Sequence, residues 1–207
     1  HVRAWADDFY PVWWELYLAY ALSRVGISLV PTKEHPRNKG KGQPDLLANS
    51  PRVWIEAVMP QAGAGEDALI DPTSQTVFEG PADRFVLRLT TVLTEKFGKV
   101  LRYVEEGTIP ISDATVVAIS GGRLPFCFQE YPIPNIVRAL CGVGFLSMKV
   151  DVQSLRRLET HIEFRDHVDK ISKSPVSTDL FLRKESAHIS AVLYSNADCV
   201  NYPRKPG

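Results

Sequence analysis

The sequence predicts an α/β fold in which a mixed central sheet is flanked by helices. Three observations carry this: a hairpin pattern at residues 42–60, a long amphipathic pattern at 82–106 that ends at Gly107, and the apolar run "ATVVAISG" shortly after it. A tight hairpin is antiparallel, whereas a short continuous apolar run after a helix reads as a strand buried on both faces of a parallel pairing. At 207 residues and 44% hydrophobic the chain is long enough for one sizeable core, so a single domain over 1–207 is expected.

In chain order, "FYPVWWELYLAYALSRV" at 9–25 carries apolar side chains nearly all round, the pattern of a helix buried on most faces, and Gly26 follows as its C-terminal cap. "ISLVPT" then reads as a first strand and "KEHPRNKGKGQ" as a polar loop rich in glycine and basic residues. "PDLLAN" and "RVWIEAVMP" form the hairpin, with its turn near Asn49 to Arg52. Residues 61–80, with glycines, prolines and scattered acids, read as a loop able to act as a lid. The order α-β-β-β-α-β indicates a sheet with helices on its faces. Further on, "PNIVRALCGVG" reads as a helix, 151–174 as a charged segment and "HISAVLYS" at 188–195 as a late strand.

Lys plus Arg and Asp plus Glu both total 24, so no global field steers the chain toward nucleic acid or a membrane, and any anion site must be a local patch. Cys127, Cys141 and Cys199 lack metal-ligand spacing and suit a reducing compartment. No run approaches the roughly 20 apolar residues of a membrane span, so a cytoplasmic protein without membrane partners is expected.

Three charged residues stand where apolar ones are expected. Strand side chains alternate, so Glu56 shares its face with Trp54 and Val58. Across the hairpin Asp45 comes within reach of the same ligand, and two close carboxylates persist when a proton or a cation lies between them. Mg²⁺ suits such a pair, since it takes one or two carboxylate oxygens plus water and phosphate. The competing reading is a structural ion pair with a Lys or Arg. Glu15 is the only charged residue from Phe9 through Ser23; it either joins that centre or emerges at the helix edge. On the 82–106 wheel, Lys96 falls inside the stripe of Phe85, Leu89, Val92, Leu93, Phe97, Val100, Leu101 and Val104; it either meets the acids or snorkels to solvent. Lys99 borders the stripe and Arg88 flanks it.

"PD" at 44–45, "IEAV" at 55–58 and the upstream Glu15 together resemble the PD-(D/E)xK nuclease superfamily, over residues 9 to about 120. That resemblance implies a restriction-endonuclease-like core of α-β-β-β-α-β order, with "HISAVLYS" as a further sheet strand and 121–187 as a family-specific elaboration. It also implies a Mg²⁺ or Mn²⁺ site at Asp45 and Glu56 supported by Glu15, with the Ala57 carbonyl as a further oxygen ligand. The superfamily's lysine normally stands two residues after the acid, where this chain has Val58. In some members a following helix supplies it, and Lys96 is the matching position here. The implied activity is phosphodiester hydrolysis of nucleic acid, DNA rather than RNA, by a chain that could form a homodimer. Lys33, His35, Arg37, Lys39 and Lys41, with Lys99, would contact the phosphate backbone. The alternative is a catalytically inactive nuclease-like fold acting as a nucleic-acid-binding or protein-interaction module.

Overall fold

The computed structural model describes residues 2–36, 42–69, 82–125, 127 and 132–200, with the side chains of 2–8 left aside. Helix α1 spans Val2–Arg24, β1 Leu46–Asn49, β2 Arg52–Val58, α2 Ala82–Glu105 and β3 Ala114–Ser120. They are followed by α3 Asn135–Cys141, β4 Val143–Val150, β5 Arg157–Phe164, β6 His167–Asp169, β7 Pro175–Ser177 and β8 Ala191–Ser195.

The main sheet has the order β1-β2-β3-β8. Strands β1 and β2 are antiparallel, while β2, β3 and β8 run parallel. The mixed sheet and the late strand are therefore present as expected. Residues 27–32 are not a strand of it: among the described residues only the bridge Leu29↔Ala48 forms, held by Val30 N–H to the Leu47 carbonyl and Asn49 N–H to the Ser28 carbonyl. Pro31 ends the pairing because it has no N–H to donate. The order of regular elements up to β3 is α-β-β-α-β, one strand short of the expected core.

Alternation along β2 sorts its side chains between two cores. Trp54 and Val58 pack with Phe85, Leu89, Val92, Leu93, Phe97 and Val100 of α2 on one face. Ile55, Ala57 and Met59 pack with Trp14 and Leu18 of α1 on the other. The Trp14 indole also donates to the Ala118 carbonyl of β3 at 3.1 Å, which ties α1 to the sheet.

Both long helices end as their glycines predict. Gly26 N–H bonds the Ser23 carbonyl and Ile27 N–H that of Leu22, while Gly107 and Thr108 N–H bond Val104 and Tyr103 in the same pattern. These paired bonds are Schellman caps, and the φ of +84° at Gly26 and +71° at Gly107 is the left-handed conformation they require.

Helix α1 corrects the expectation of burial on most faces: Phe9, Val12, Leu16 and Tyr20 form an exposed stripe, with Leu16 at 66% exposure. The sheet occupies only one side of the helix, so an apolar residue on the far side has nothing to pack against. Residues 151–174, read as a charged segment, hold β5 and β6; β5 pairs with β4, and β6 with β7, as separate two-stranded ribbons. Of the expected lid at 61–80, residues 70–80 lie outside the described residues.

Candidate active site

Glu56 is 1% exposed on the face of β2 that α2 covers. The β1–β2 register pairs Leu46 with Ile55, and one further step sets Asp45 opposite Glu56. Opposed residues of an antiparallel pair share a face, so the hairpin itself brings these two carboxylates together. Asp45 Oδ2 accepts the Ala57 N–H at 2.7 Å, closing the ladder where β1 begins. The N–H and C=O of one strand residue point the same way, so the Ala57 carbonyl also looks to the Asp45 side of β2.

Helix α2 contributes two ammonium groups. Lys96 Nζ lies 2.8 Å and Lys99 Nζ 2.7 Å from the same oxygen, Glu56 Oε1. The other oxygen, Oε2, is buried and has no hydrogen-bond partner among the described residues. Lys96 is therefore directed inward, as its place in the apolar stripe indicates. Lys99, expected only as a backbone contact, stands equally close to the carboxylate. Its place at the stripe's border was the sequence signal: residues 96, 99, 100 and 103 all lie on one helical face.

The charges crowd one another. Burial raises the Asp45 pKa above the ordinary range, and the charge of Glu56 raises it further. Glu15 is shifted in the same direction, first by burial and then by Asp45 and Glu56. Burial alone would lower the Lys99 pKa, but its hydrogen bond to Glu56 and the charge of that carboxylate outweigh burial and raise it. Glu15 thus lies within charge–charge range of both acids and both lysines.

Sequence reasoning missed Tyr103. Its hydroxyl donates to the Gln43 carbonyl at 3.2 Å, and a side chain at Gly42 would come within 3.1 Å of that hydroxyl. Tyr103 therefore holds the segment that delivers Asp45, one helical turn beyond Lys99.

Other expected contacts are placed differently. Lys33 is exposed in a short 3-10 turn, Thr32–Glu34. His35 is buried, bonded to the Val30 carbonyl and edge-on to Trp54, so it does not face a phosphate. Arg37, Lys39 and Lys41 lie outside the described residues. His188 bonds the Phe97 carbonyl and Ser190 accepts the Thr115 N–H, so both are structural.

The donors available for a cation are oxygens: Asp45, Oε2 of Glu56 and the Ala57 carbonyl. Among the described residues no group of three or more His, Cys, Asp or Glu side chains could hold a metal ion. Mg²⁺ needs only one or two protein carboxylates, because water and substrate phosphate complete its shell. Asp45 and Glu56 are that number of carboxylates, though two ammonium groups already occupy Oε1 and leave Oε2 as the Glu56 oxygen for an ion; Glu15 is outside the pair. Among the described residues no helix is long and apolar enough to cross a membrane. Comparison with protein-family models, with curated proteins and with solved structures gives no match to this chain.

Proposed function

We propose that this protein is a metal-dependent nuclease that hydrolyses phosphodiester bonds of nucleic acid. The observation that carries the reading is Glu56: a buried carboxylate with two lysines on one oxygen, no partner among the described residues on the other, and Asp45 opposite. Asp45, Glu56 and the Ala57 carbonyl would hold Mg²⁺ or Mn²⁺. Such an ion, when bound, supplies an activated water and charge neutralisation at the leaving oxygen.

The rest of the chemistry belongs to the chain's own side chains. An ammonium carries three N–H donors, so Lys96 keeps two beyond its bond to Glu56 for a non-bridging phosphate oxygen. Lys99 adds a second cation beside it, and both offset negative charge that builds on the phosphate in the transition state. Glu15, whose proton is held above the ordinary range, orients a water at the border of the centre. Tyr103 keeps Asp45 in place through Gln43.

A second reading, a catalytically inactive nuclease-like fold that binds nucleic acid or protein, is favoured by one observation. Both lysines are engaged with Glu56, and Val58 stands where the superfamily's strand lysine would be. Incubation of the purified chain with plasmid, single-stranded DNA and RNA in Mg²⁺ or Mn²⁺, against EDTA and Asp45→Asn, separates the two. Cutting that needs metal and Asp45 is the result expected; intact substrates throughout favour the inactive module.

A further inference from the structure

Past Glu56 the chain leaves β2 through Met59 and Pro60 and runs beside α2. Between them opens a cleft of about 560 Å³, walled by Val58, Met59 and Val92 and by the polar groups of Arg88, Glu95 and Lys96. Lys96 belongs to this wall and to the Glu56 centre at once, so the cleft begins where the proposed chemistry ends.

Arg88 is the unexplained group. Its Nε donates to the Gln61 carbonyl at 2.7 Å, and its stem packs against the space beside Gly63. That bond holds the guanidinium at Nε, and among the described residues its outer nitrogens have no hydrogen-bond partner and Arg88 makes no ion pair. Burial lowers its pKa, with Glu95 the charge that acts against this. A guanidinium so held and only partly hydrated favours an anion, and its planar fork matches phosphate.

Arg88, Val92, Glu95 and Lys96 follow one face of α2. The eight steps from Arg88 to Lys96 span about 12 Å of axis, room for a nucleoside between two phosphate-binding cations. Between them the wall holds Val58, Met59 and Val92, with Glu95 and Gln61 as its polar residues. A carboxylate repels phosphate but accepts a hydrogen bond from the exocyclic amine of adenine or cytosine.

We infer that this cleft is a subsite for an unpaired nucleotide next to the bond that is cut. Arg88 takes its phosphate, Val58, Met59 and Val92 receive its base, and Glu95 reads an exocyclic amine. The inference rests on the nuclease reading and gives that site a substrate class: single-stranded or frayed nucleic acid. A base inside a duplex has to leave its stack to enter, so unpaired substrate is preferred.

The test is equilibrium binding, by fluorescence anisotropy in EDTA, of labelled dA, dC and dT 12-mers and of a duplex to the full chain. Wild type is expected to bind dA and dC strands about tenfold more tightly than duplex, and more tightly than dT. Arg88→Met should weaken every single strand about fivefold or more and make the salt slope shallower by about 0.7, whereas Arg88→Lys retains the slope. Glu95→Gln should erase the preference over dT. An unchanged circular dichroism spectrum shows that the variants fold. Wild-type affinity in Arg88→Met, or duplex bound as tightly as single strands, overturns the subsite and leaves the nuclease reading standing. Wild type that binds no nucleic acid overturns both.

Discussion

Among the described residues Glu56 has two ammonium partners on Oε1 and none on Oε2. Neutralising it as Glu56→Gln leaves Lys96 and Lys99 largely buried with no paired anion. Breaking a buried ion pair from one side costs about 3–5 kcal/mol, so chemical denaturation should show a loss of that order. Lys96→Met leaves Lys99 in place on the carboxylate and should cost less. Asp45 and Glu15 work in the opposite direction. Their folded pKa values are raised above the ordinary 3.8 and 4.5, so above those values the folded chain binds more protons than the unfolded one. Stability of the metal-free protein is then greatest below the ordinary carboxyl range and falls as pH rises through the raised values. Asp45→Asn and Glu15→Gln should raise Tm at pH 7, leave it unchanged near pH 3, and flatten the Tm profile between. A lower Tm at pH 7 in both would show that the acids do not strain one another. The Asn oxygen can still accept the Ala57 N–H, so the cap on the ladder survives the change.

Each side chain of the centre is delivered by an element with its own physical reason to form. The β1–β2 register opposes Asp45 to Glu56, α2 turns Lys96 and Lys99 inward with its apolar stripe, and α1 brings Glu15 beside Trp14. Trp14 is 1% exposed, and its indole N–H anchors α1 to β3. Trp14→Phe keeps most of the apolar contact and removes the hydrogen bond, which should cost about 1–3 kcal/mol and lower Tm by a few degrees. Elements with strong periodicity were legible in the sequence: the glycine caps, the stripe of α2, the apolar run of β3 and the hairpin. The first strand was not, because "ISLVPT" has the composition of a strand while Pro31 and a single bridge to β1 leave it no ladder. In β5, Leu158, Thr160, Ile162 and Phe164 alternate with Glu159, His161 and Glu163, a period-2 pattern that the density of charge concealed.

At the scale of the whole molecule, a zero net charge places the burden of anion binding on a local arrangement. Asp45, Glu56 and the inward Lys96 were legible because each breaks a pattern that otherwise points to burial. Lys99 was legible only as a residue at the border of the stripe, and Tyr103 was not, because its bond to Gln43 depends on how closely α2 lies on the segment before β1, which no helical wheel contains. On the α2 side of β2, Glu56 meets both lysines, and of these Lys96 also lines the cleft. On the proposed function, Lys96 of α2 takes the part of the lysine that β2 lacks at Val58. This role is tested most directly by single-turnover cleavage of single-stranded DNA in Mg²⁺ by wild type, Lys96→Met and Lys99→Met, each checked for an unchanged circular dichroism spectrum. Expected are cutting by wild type, loss of at least about 100-fold in Lys96→Met, in the range of removing a positioned charge from a transition state, and a smaller loss in Lys99→Met. Wild-type rates in a folded Lys96→Met would contradict it.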